Sequence, residues 1–367
     1  MKLKELVKIR TGKLDANASN EDGKYPFFTC SKIPLKIKNY SYNCECVLVA
    51  GNGDLNVKYY NGKFDAYQRT YIIETIDSSK LNTRFLFHFM SLYVNELKNQ
   101  SIGSAIKFIK LGNLQNANIP LYSLEKQLKI NSELDNYIRT IEMKQTELNL
   151  LNNLIKSRFI EMFGDIDENV KGWTIGKIQD IAKCVAGATP STAKPEYWEN
   201  GTIPWLSSGE VNKYRIYETD SKITQLGYNN ASTKLVPAHT VVLAMAGQGK
   251  TRGTAAITEI ELCTNQSICS LVTNEKMNSE FLLFYLKSQY EQLRAASNGA
   301  EGRGGLNLKI IGNFPIIIPN IELQNEFAYF VEQIDKSKFI NYSRYFLWEI
   351  LTLFSSTIAY SSVVSIF

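Results

Sequence analysis

Apolar side chains recur with a helical period between residues 124 and 163, a stretch that contains neither Pro nor Gly. They follow one another at steps of three or four residues or sums of such steps, which places them along one face of a helix. The positions are Leu134, Ile138, Ile141, Leu148, Ile155, Phe159 and Met162. At about 1.5 Å per residue this helix is roughly 60 Å long, too long for the connecting helix of a single compact domain. The pattern predicts a long helix that joins two bodies and needs a partner along its apolar face.

The sequences on either side of this helix repeat each other. The amphipathic opening LKELVKIRTGK reaches Gly12, and IQDIAKCVAGA reproduces it around Gly187. The aromatic segment 25–29, with a proline at its second position, matches 203–207 at nearly the same separation. Each aromatic segment predicts the entry to a strand.

The later matches lie further apart along the chain. They align Gly51 and Gly53 with Gly247 and Gly249, Gln68 with Gln266, and residues 101–127 with 298–324. The larger separation indicates 18 additional residues between Gly209 and Val241 in the second copy. Because Tyr214, Arg215 and Tyr217 cluster there among polar residues, we predict a long loop that diversifies specificity.

Each copy ends with an apolar strand, a proline (Pro120 or Pro319) and a helix. The second helix has an apolar face of its own, formed by Ile321, Phe327, Val331 and Ile334. It supplies the partner that the first helix needs. The order of elements predicts a mixed α/β (α+β) fold with two similar domains in a pseudo-two-fold arrangement, separated by two long helices that form an antiparallel coiled coil. The boundaries that we predict are 1–122, 123–163, 164–319, 320–344 and an apolar tail at 345–367.

Composition and charge narrow the class of protein only slightly. The 367 residues are 44% hydrophobic and 21% charged, which is typical of a globular chain with two cores. A net charge of +5 permits nucleic-acid binding without requiring it. The six cysteines form no CxxC pair, and His88 and His239 have no neighbouring ligand in sequence, so we expect reduced thiols in the cytoplasm, no metal site and no cofactor.

The motif AMAGQGKT at 244–251 resembles the end of a phosphate-binding loop. It has Ala244 where that loop requires Gly, and a turn and strand are predicted after it instead of a helix. Motifs typical of adenine methyltransferases, metal-dependent nucleases, zinc proteases and serine hydrolases do not occur in the sequence. We therefore expect a non-catalytic protein whose Tyr, Asn, Gln, Lys and Arg side chains at turns contact DNA. Two alternatives stay open, a P-loop-like nucleotide-binding protein and an interaction protein tethered to a membrane by its tail.

In this arrangement the chain resembles the specificity subunits of type I restriction-modification systems. The resemblance is carried by the repeated opening, by the proline-bounded strand and helix IPLYSLEKQ and IPNIELQNEF, and by FIEMFGD at 159–165 followed by Trp173. It implies two target-recognition domains and two conserved helices in a non-catalytic subunit that acts in defence against foreign DNA. It also implies that two modification (methyltransferase) subunits and, for cleavage, restriction (helicase-nuclease) subunits assemble on it, and that the complex is a site-specific endonuclease and adenine-specific methyltransferase. The tail departs from the family, which continues a polar heptad helix there.

The resemblance further implies that each domain reads one half of a bipartite double-stranded DNA target through the major groove, while the helices set the spacer and dock the methyltransferase subunits. For the first domain, the residues that we predict to contact DNA are Asn52, Lys58, Gln68, Arg69 and Lys107. For the second domain they are Ser207, Gln248, Lys250, Arg252, Gln266 and Arg303. The coiled-coil interface is assigned to the apolar face of the first helix together with Phe327, Val331 and Ile334 of the second.

Overall fold

The structure is a computed structural model that describes residues 1–247, 249–297 and 305–338. The chain divides into two compact units between Thr146 and Glu147, inside the long helix. Three of the predictions fall outside the described residues: Gln248, Arg303 and everything beyond residue 338, which includes the apolar tail.

The first unit is built on one six-stranded sheet. Its strands are β1 (Val7–Thr11), β2 (Tyr25–Phe28), β3 (Leu35–Ile37), β4 (Tyr42–Ala50), β5 (Val57–Ala66) and β6 (Thr70–Thr75). They lie in the order β1-β6-β4-β5-β2-β3, and each neighbouring pair is antiparallel except the parallel pair β2 and β5. The helices of this unit are α1 (Thr83–Gln100), α2 (Leu111–Gln115) and the first part of α3 (Leu124–Phe163), with 3₁₀ turns at Leu3–Glu5 and Ala16–Ala18.

Alternation along the central strand β4 gives this sheet two buried faces. Val47 and Val49 point to one side and pack with Phe85 and Leu86 of α1, whereas Leu48 lies on the other side in a separate cluster. All of these side chains are at most 5% exposed. The helices therefore cover one face of the sheet, and on the other face Leu48 packs with aromatic residues of β2 and β5 in the same sheet.

The second unit divides its strands among three sheets. The strands are β7 (Thr174–Lys177), β8 (Ala182–Ala186), β9 (Ile203–Leu206), β10 (Arg215–Ile216), β11 (Ser221–Ile223), β12 (Val241–Ala244), β13 (Ala255–Thr258), β14 (Cys263–Thr264), β15 (Ile268–Thr273) and β16 (Pro315–Ile318). They form the sheets β10-β13-β12-β15-β8, β11-β9-β14 and β16-β7. The helices are α4 (Ile178–Ile181), α5 (Gln225–Asn229), α6 (Ser279–Ser288), α7 (Tyr290–Ala296), α8 (Leu308–Gly312) and α9 over residues 321–338, with 3₁₀ turns at Pro195–Tyr197 and Ser208–Lys213.

The strand orders show the repeat directly. The series β8-β15-β12-β13 reproduces β1-β6-β4-β5, and β11-β9-β14 reproduces β3-β2 with the end of β5. Gly12 and Gly187 occupy equivalent places, because a Cβ at Gly12 would lie 2.1 Å from the carbonyl oxygen of Ala66 at the end of β5, and a Cβ at Gly187 would lie 1.9 Å from that of Thr264 at the end of β14. The prediction of a mixed α/β fold with two repeated domains and a long helix at 124–163 is confirmed.

The sheet register corrects the alignment around the paired glycines. Val47 pairs with Ile73 in the first unit, and Val241 pairs with Leu271 in the second, so Val47 corresponds to Val241. The glycine alignment instead placed Glu45 opposite Val241. The insertion before β12 is therefore two residues shorter than predicted. The turn after the strand is four residues longer in the second unit. A hydrogen bond from the N–H of residue 50 to the carbonyl of residue 56 closes this turn in the first unit, and the equivalent bond joins residues 244 and 254 in the second.

The prediction of a long loop is wrong at Arg215. The inserted segment contains the 3₁₀ turn Ser208–Lys213 and strand β10, which pairs in parallel with β13. The side chain of Arg215 is 14% exposed, and its guanidinium lies 2.6, 2.7 and 2.8 Å from carboxylate oxygens of Glu259, Glu280 and Asp335, respectively. Because Asp335 belongs to α9, the insertion fastens this helix to its own unit. Tyr217, two residues further on, is 66% exposed.

A buried glutamine fixes each of the two long helices to its unit through the same three hydrogen bonds. Gln127 of α3 accepts a bond from the backbone N–H of Asn82 at 2.9 Å. Its amide nitrogen donates to the carbonyls of Lys80 and Tyr122 at 2.8 and 2.9 Å. Gln324 of α9 makes the equivalent bonds with the backbone of Asn278, Lys276 and Pro319 at 2.9, 3.2 and 2.8 Å. Since both glutamines are fully buried, these bonds satisfy groups that water cannot reach.

The apolar face of α3 is buried to different degrees along its length. Ile155, Phe159 and Met162 lie in the core of the second unit, where the Phe159 and Phe327 rings are 5.2 Å apart and Val331 is fully buried. Ile334 packs partly buried against the same core. Towards the middle of the helix, Leu134 and Leu148 are half-buried, while Ile138 and Ile141 are 38% and 49% exposed.

Candidate nucleic-acid interface

Four turns of the first unit meet at one end of its sheet, and we call them the first rim: residues 29–33, 51–56, 67–69 and 102–108. Hydrogen bonds join each turn to the next. The N–H of Gly51 donates to the carbonyl of Arg69 at 2.8 Å, and that of Gly53 donates to Lys107 at 2.9 Å. The side-chain amide of Asn56 donates to the carbonyl of Cys30 at 2.8 Å. The predicted residues Asn52, Gln68, Arg69 and Lys107 lie on these turns, and Lys58 follows directly in β5.

Local sequence explains the shape of the central turn of this rim. Gly53 has a φ of 69°, a left-handed conformation that glycine adopts readily, and a Cβ added there would meet nothing within 4 Å. Asn52 forms an isolated bridge with Phe108, which also pairs with Ile102. The turn after β4 is thereby attached to the 102–108 segment, so Asn52 and Lys107 are held side by side.

The five predicted residues of the first rim differ in how free their side chains are. Arg69 and Lys107 are exposed, as is Gln68, whose amide nitrogen donates to a carboxylate oxygen of Asp15 at 2.8 Å. Lys58 is half-buried and hydrogen-bonds the side-chain oxygen of Asn56, and burial lowers the pKa of its amine. Of the five predicted residues, Arg69 and Lys107 are therefore the exposed cations that can reach a phosphate, while Lys58 contributes to the internal structure of the turn.

The first rim lies at the far end of its unit from the start of the long helix. Helix α1 has 18 residues and a length of about 27 Å. Its N-cap, Asn82, is bonded to Gln127 and Asn131 of α3, and its last turn carries Lys98 to the rim, 3.9 Å from Asp54. A ligand bound at the rim would therefore be separated from the beginning of α3 by the length of α1.

The second unit has an equivalent set of segments, the second rim: residues 189, 207, 245–247, 249–253 and 265–267. The N–H of Asn265 donates to the carbonyl of Leu206 at 3.0 Å, and that of Met245 donates to Ser267 at 2.8 Å. These bonds bring Ser207, Lys250, Arg252 and Gln266 onto one edge. Gln266 bonds to the segment after β8, as Gln68 bonds to the segment after β1: its side-chain oxygen accepts from the hydroxyl of Thr189 at 2.5 Å.

Ser207 has a local role in addition to its place on the second rim. Its N–H and its hydroxyl both donate to one carboxylate oxygen of Glu210, at 3.0 and 2.9 Å. Glu210 is 5% exposed and also accepts from Lys213 and from the backbone of Asp220. Ser207 therefore begins the 3₁₀ turn Ser208–Lys213 and is held by it.

Sequence reasoning missed the residues whose hydrogen bonds hold the turn after β12 in place. Arg294 of α7 donates to the carbonyls of Gly249 and Arg252 at 2.8 and 3.3 Å, and the hydroxyl of Tyr290 donates to Lys250 at 2.9 Å. Lys98 occupies the equivalent place in the first unit when the two helical segments are aligned on their N-caps, Asn82 and Asn278. In both copies, a basic residue near the end of this helical segment is the sequence feature that could have identified these contacts.

The geometry of the second rim does not support the nucleotide-binding alternative. A phosphate loop leads into a helix whose N-terminal N–H groups face the phosphates, whereas the turn around Lys250 leads into strand β13.

Within residues 1–247, 249–297 and 305–338, no helix combines the length and apolar character that a membrane crossing requires. The same described residues contain no cluster of three or more His, Cys, Asp or Glu arranged to hold a metal ion.

Comparison with known proteins identifies the same family for both halves. The family model described as type I restriction modification DNA specificity domain matches residues 1–153 and 170–342. The specificity subunit of the type I restriction enzyme EcoDI from Escherichia coli is 37% identical over 156 residues, which cover 42% of this chain and 34% of that protein. The EcoR124I/EcoR124II specificity subunit from Escherichia coli is 24% identical over 274 residues, 72% of this chain and 65% of that protein.

A solved structure of a type I specificity subunit has a similar fold. The crystal structure of the type I restriction-modification system S subunit from M. genitalium superposes with a TM-score of 0.65 at 14% identity, and the match covers 96% of this chain and 92% of that one. The matches to the two Escherichia coli relatives span only about one third and two thirds of their lengths.

Proposed function

Because the chain belongs to the type I restriction modification DNA specificity family, we propose that it is a non-catalytic subunit that reads a bipartite double-stranded DNA target, one half with each rim. Exposed cations of each rim bind phosphates, and polar side chains such as Gln68 and Gln266 contact base edges. The six cysteines are free thiols, which supports a cytoplasmic location.

The single observation that carries this proposal is the duplicated rim. The two units share strand order, the glutamine that holds each long helix and the hydrogen-bonded turns at the opposite end of each unit. Yet the residues on the turns differ: the segment after β4 reads GNGDLN, and the one after β12 reads MAGQGKTRG. A shared scaffold with different turns is what two readers of two different half-sites require.

We further propose that the two long helices set the spacer between the half-sites and dock the partner subunits. Ile138 and Ile141, 38% and 49% exposed, mark an apolar stretch of α3 that the described residues leave uncovered. Apolar exposure of this kind is typical of protein–protein interfaces. The partners that we propose for these helices are two methyltransferase subunits, and restriction subunits would join them for cleavage.

Changes on one rim are expected to affect one half-site alone. In Gln68→Ala/Arg69→Ala the first rim loses a base-edge contact and a phosphate contact, so binding to the correct duplex weakens by about tenfold or more and discrimination is lost in one half. Gln266→Ala/Lys250→Ala has the same effect on the other half. Competition between the selected duplex and duplexes altered in either half measures both effects.

The matched control is Lys126→Ala, which removes an exposed cation from the first turn of α3, away from the first rim. It should bind like the unchanged protein. If each double variant weakened discrimination in both halves equally, the assignment of one rim to each half-site would be contradicted.

A further inference from the structure

Lys32 of the first rim and Lys98 at the end of α1 share one carboxylate, that of Asp54. Lys32 Nζ lies 3.3 Å from Oδ2 of Asp54, and Lys98 Nζ lies 3.9 Å from Oδ1. Each lysine thus faces a different oxygen of the same group. All three side chains are at least half exposed, with Lys32 at 76%, Lys98 at 50% and Asp54 at 60%.

Three separate elements bring these charges together. Lys32 stands in the turn after β2, Asp54 in the turn after β4, and Lys98 in the last turn of α1. Asn56 joins the first two, because its amide nitrogen donates both to the carbonyl of Cys30 and to that of Asp54, each at 2.8 Å. The backbone of the turn is held by Asn56 and by the bond from Gly53 to Lys107. The carboxylate of Asp54 is free of these bonds and is engaged with the two lysines.

The second unit has the equivalent cation in α7, but the turn that this cation contacts has no carboxylate. Arg294, the counterpart of Lys98, contacts the carbonyls of Gly249 and Arg252. Residues 247–253 read GQGKTRG and contain no Asp or Glu. A carboxylate is therefore not required by the turn itself, and Asp54 needs an explanation of its own.

We propose that Lys32 and Lys98 form a binding site for one DNA phosphodiester, which Asp54 occupies as an internal anion until DNA displaces it. This inference rests on the proposed DNA-binding function. A phosphodiester presents two non-bridging oxygens, as a carboxylate does, so the two ammonium groups that face the two oxygens of Asp54 match it. Exposed ion pairs contribute only about 0.2–1 kcal/mol, and a phosphate with its condensed counterions can replace such a partner. Asp54 holds the two lysines in place and weakens attachment to DNA of any sequence.

The test measures binding of the full-length protein to a duplex of random sequence from about 50 to 200 mM salt. Asp54→Asn should bind roughly two- to fivefold tighter at low salt, the fold-change that corresponds to loss of an exposed ion pair. Lys32→Gln/Lys98→Gln should bind more weakly, and its plot of log affinity against log salt should flatten by about 0.9, the value for one phosphate. In the triple variant the gain from Asp54→Asn should disappear, because the lysines that profit from it are gone.

The matched control is Asp77→Asn. It removes one carboxylate of an exposed ion pair with Lys80, in the loop before α1 and away from the rim. It should leave the affinity unchanged. The inference is overturned if Asp54→Asn strengthens binding equally in the lysine-free background, since that would be a general charge effect. It is also overturned if Asp54→Asn weakens binding, since the carboxylate would then contact DNA itself. If the unchanged protein and all variants fail to bind any duplex, the proposed function falls together with the inference.

Discussion

Replacement of Arg215 by alanine is expected to destabilise the second unit by about 3–5 kcal/mol, the usual cost of removing one partner from a buried ion pair. Arg215 lies between Glu259, Glu280 and Asp335, whose side chains are only 16–22% exposed. Without the guanidinium these partly buried carboxylates repel one another. Urea denaturation of the variant and of the unchanged protein gives the difference in the free energy of unfolding.

The loss of unfolding free energy in Arg215→Ala should depend on pH in a defined direction. Burial raises the pKa of Glu280 above its ordinary value of 4.5, and Arg215 opposes that rise, so its removal raises the pKa further. A carboxyl group with a raised pKa in the folded state stabilises the fold below its unfolded pKa and loses that contribution as the pH rises through its folded pKa. The deficit of Arg215→Ala is therefore largest near neutral pH and shrinks as the pH falls towards the ordinary pKa of a glutamate.

Lys336→Ala is the control, because it breaks the exposed pair of Lys336 with Glu332 on the same helix. Its stability should match that of the unchanged protein. A small and pH-independent effect of Arg215→Ala would show that the three carboxylates do not depend on the guanidinium.

Deletion of residues 140–146 from α3 is expected to shorten the accepted spacer by about three base pairs and to leave both half-sites unchanged. Seven residues correspond to about 10 Å of helix and change its facing by only about 20°. At about 3.4 Å per base pair this is close to three base pairs. The deletion avoids the segment from Ile155 to Phe163, which packs in the core of the second unit.

Deletion of five residues, 141–145, is the matched control for this experiment. It shortens the helix by a similar amount but rotates the two ends by about 140° relative to each other. Binding to the bipartite duplex should then be lost while single half-sites are still recognised. An unchanged spacer after the seven-residue deletion would contradict the role of α3 in setting the distance.

The sequence was sufficient for the long helix and the repeat, since both depend on local periodicity. The helix occupies Leu124–Phe163, the predicted range. Periodicity could not say which part of its apolar face is covered, because burial depends on packing from distant segments. Phe159 is buried by Phe281 and Phe327, whereas Ile141 on the same face is half exposed.

The errors have a common physical origin in contacts between distant positions. Arg215 was assigned to a loop because polar and aromatic neighbours surround it in sequence, but its partners Glu280 and Asp335 lie far along the chain in α6 and α9. Matching glycines misaligned the turn after β12 by two residues, since only the pairing of strands reveals the register. Lys32 and Lys98 escaped notice for the same reason, because they meet only at Asp54.

Selection of bound duplexes from a random library, with this chain and the methyltransferase partner that we propose for it, tests the central claim most directly. Two rims on two repeated units predict enrichment of two short, different sequences separated by a spacer of constant length and unconstrained composition. Enrichment of a single contiguous sequence, or of no sequence, would contradict a protein that reads a bipartite target.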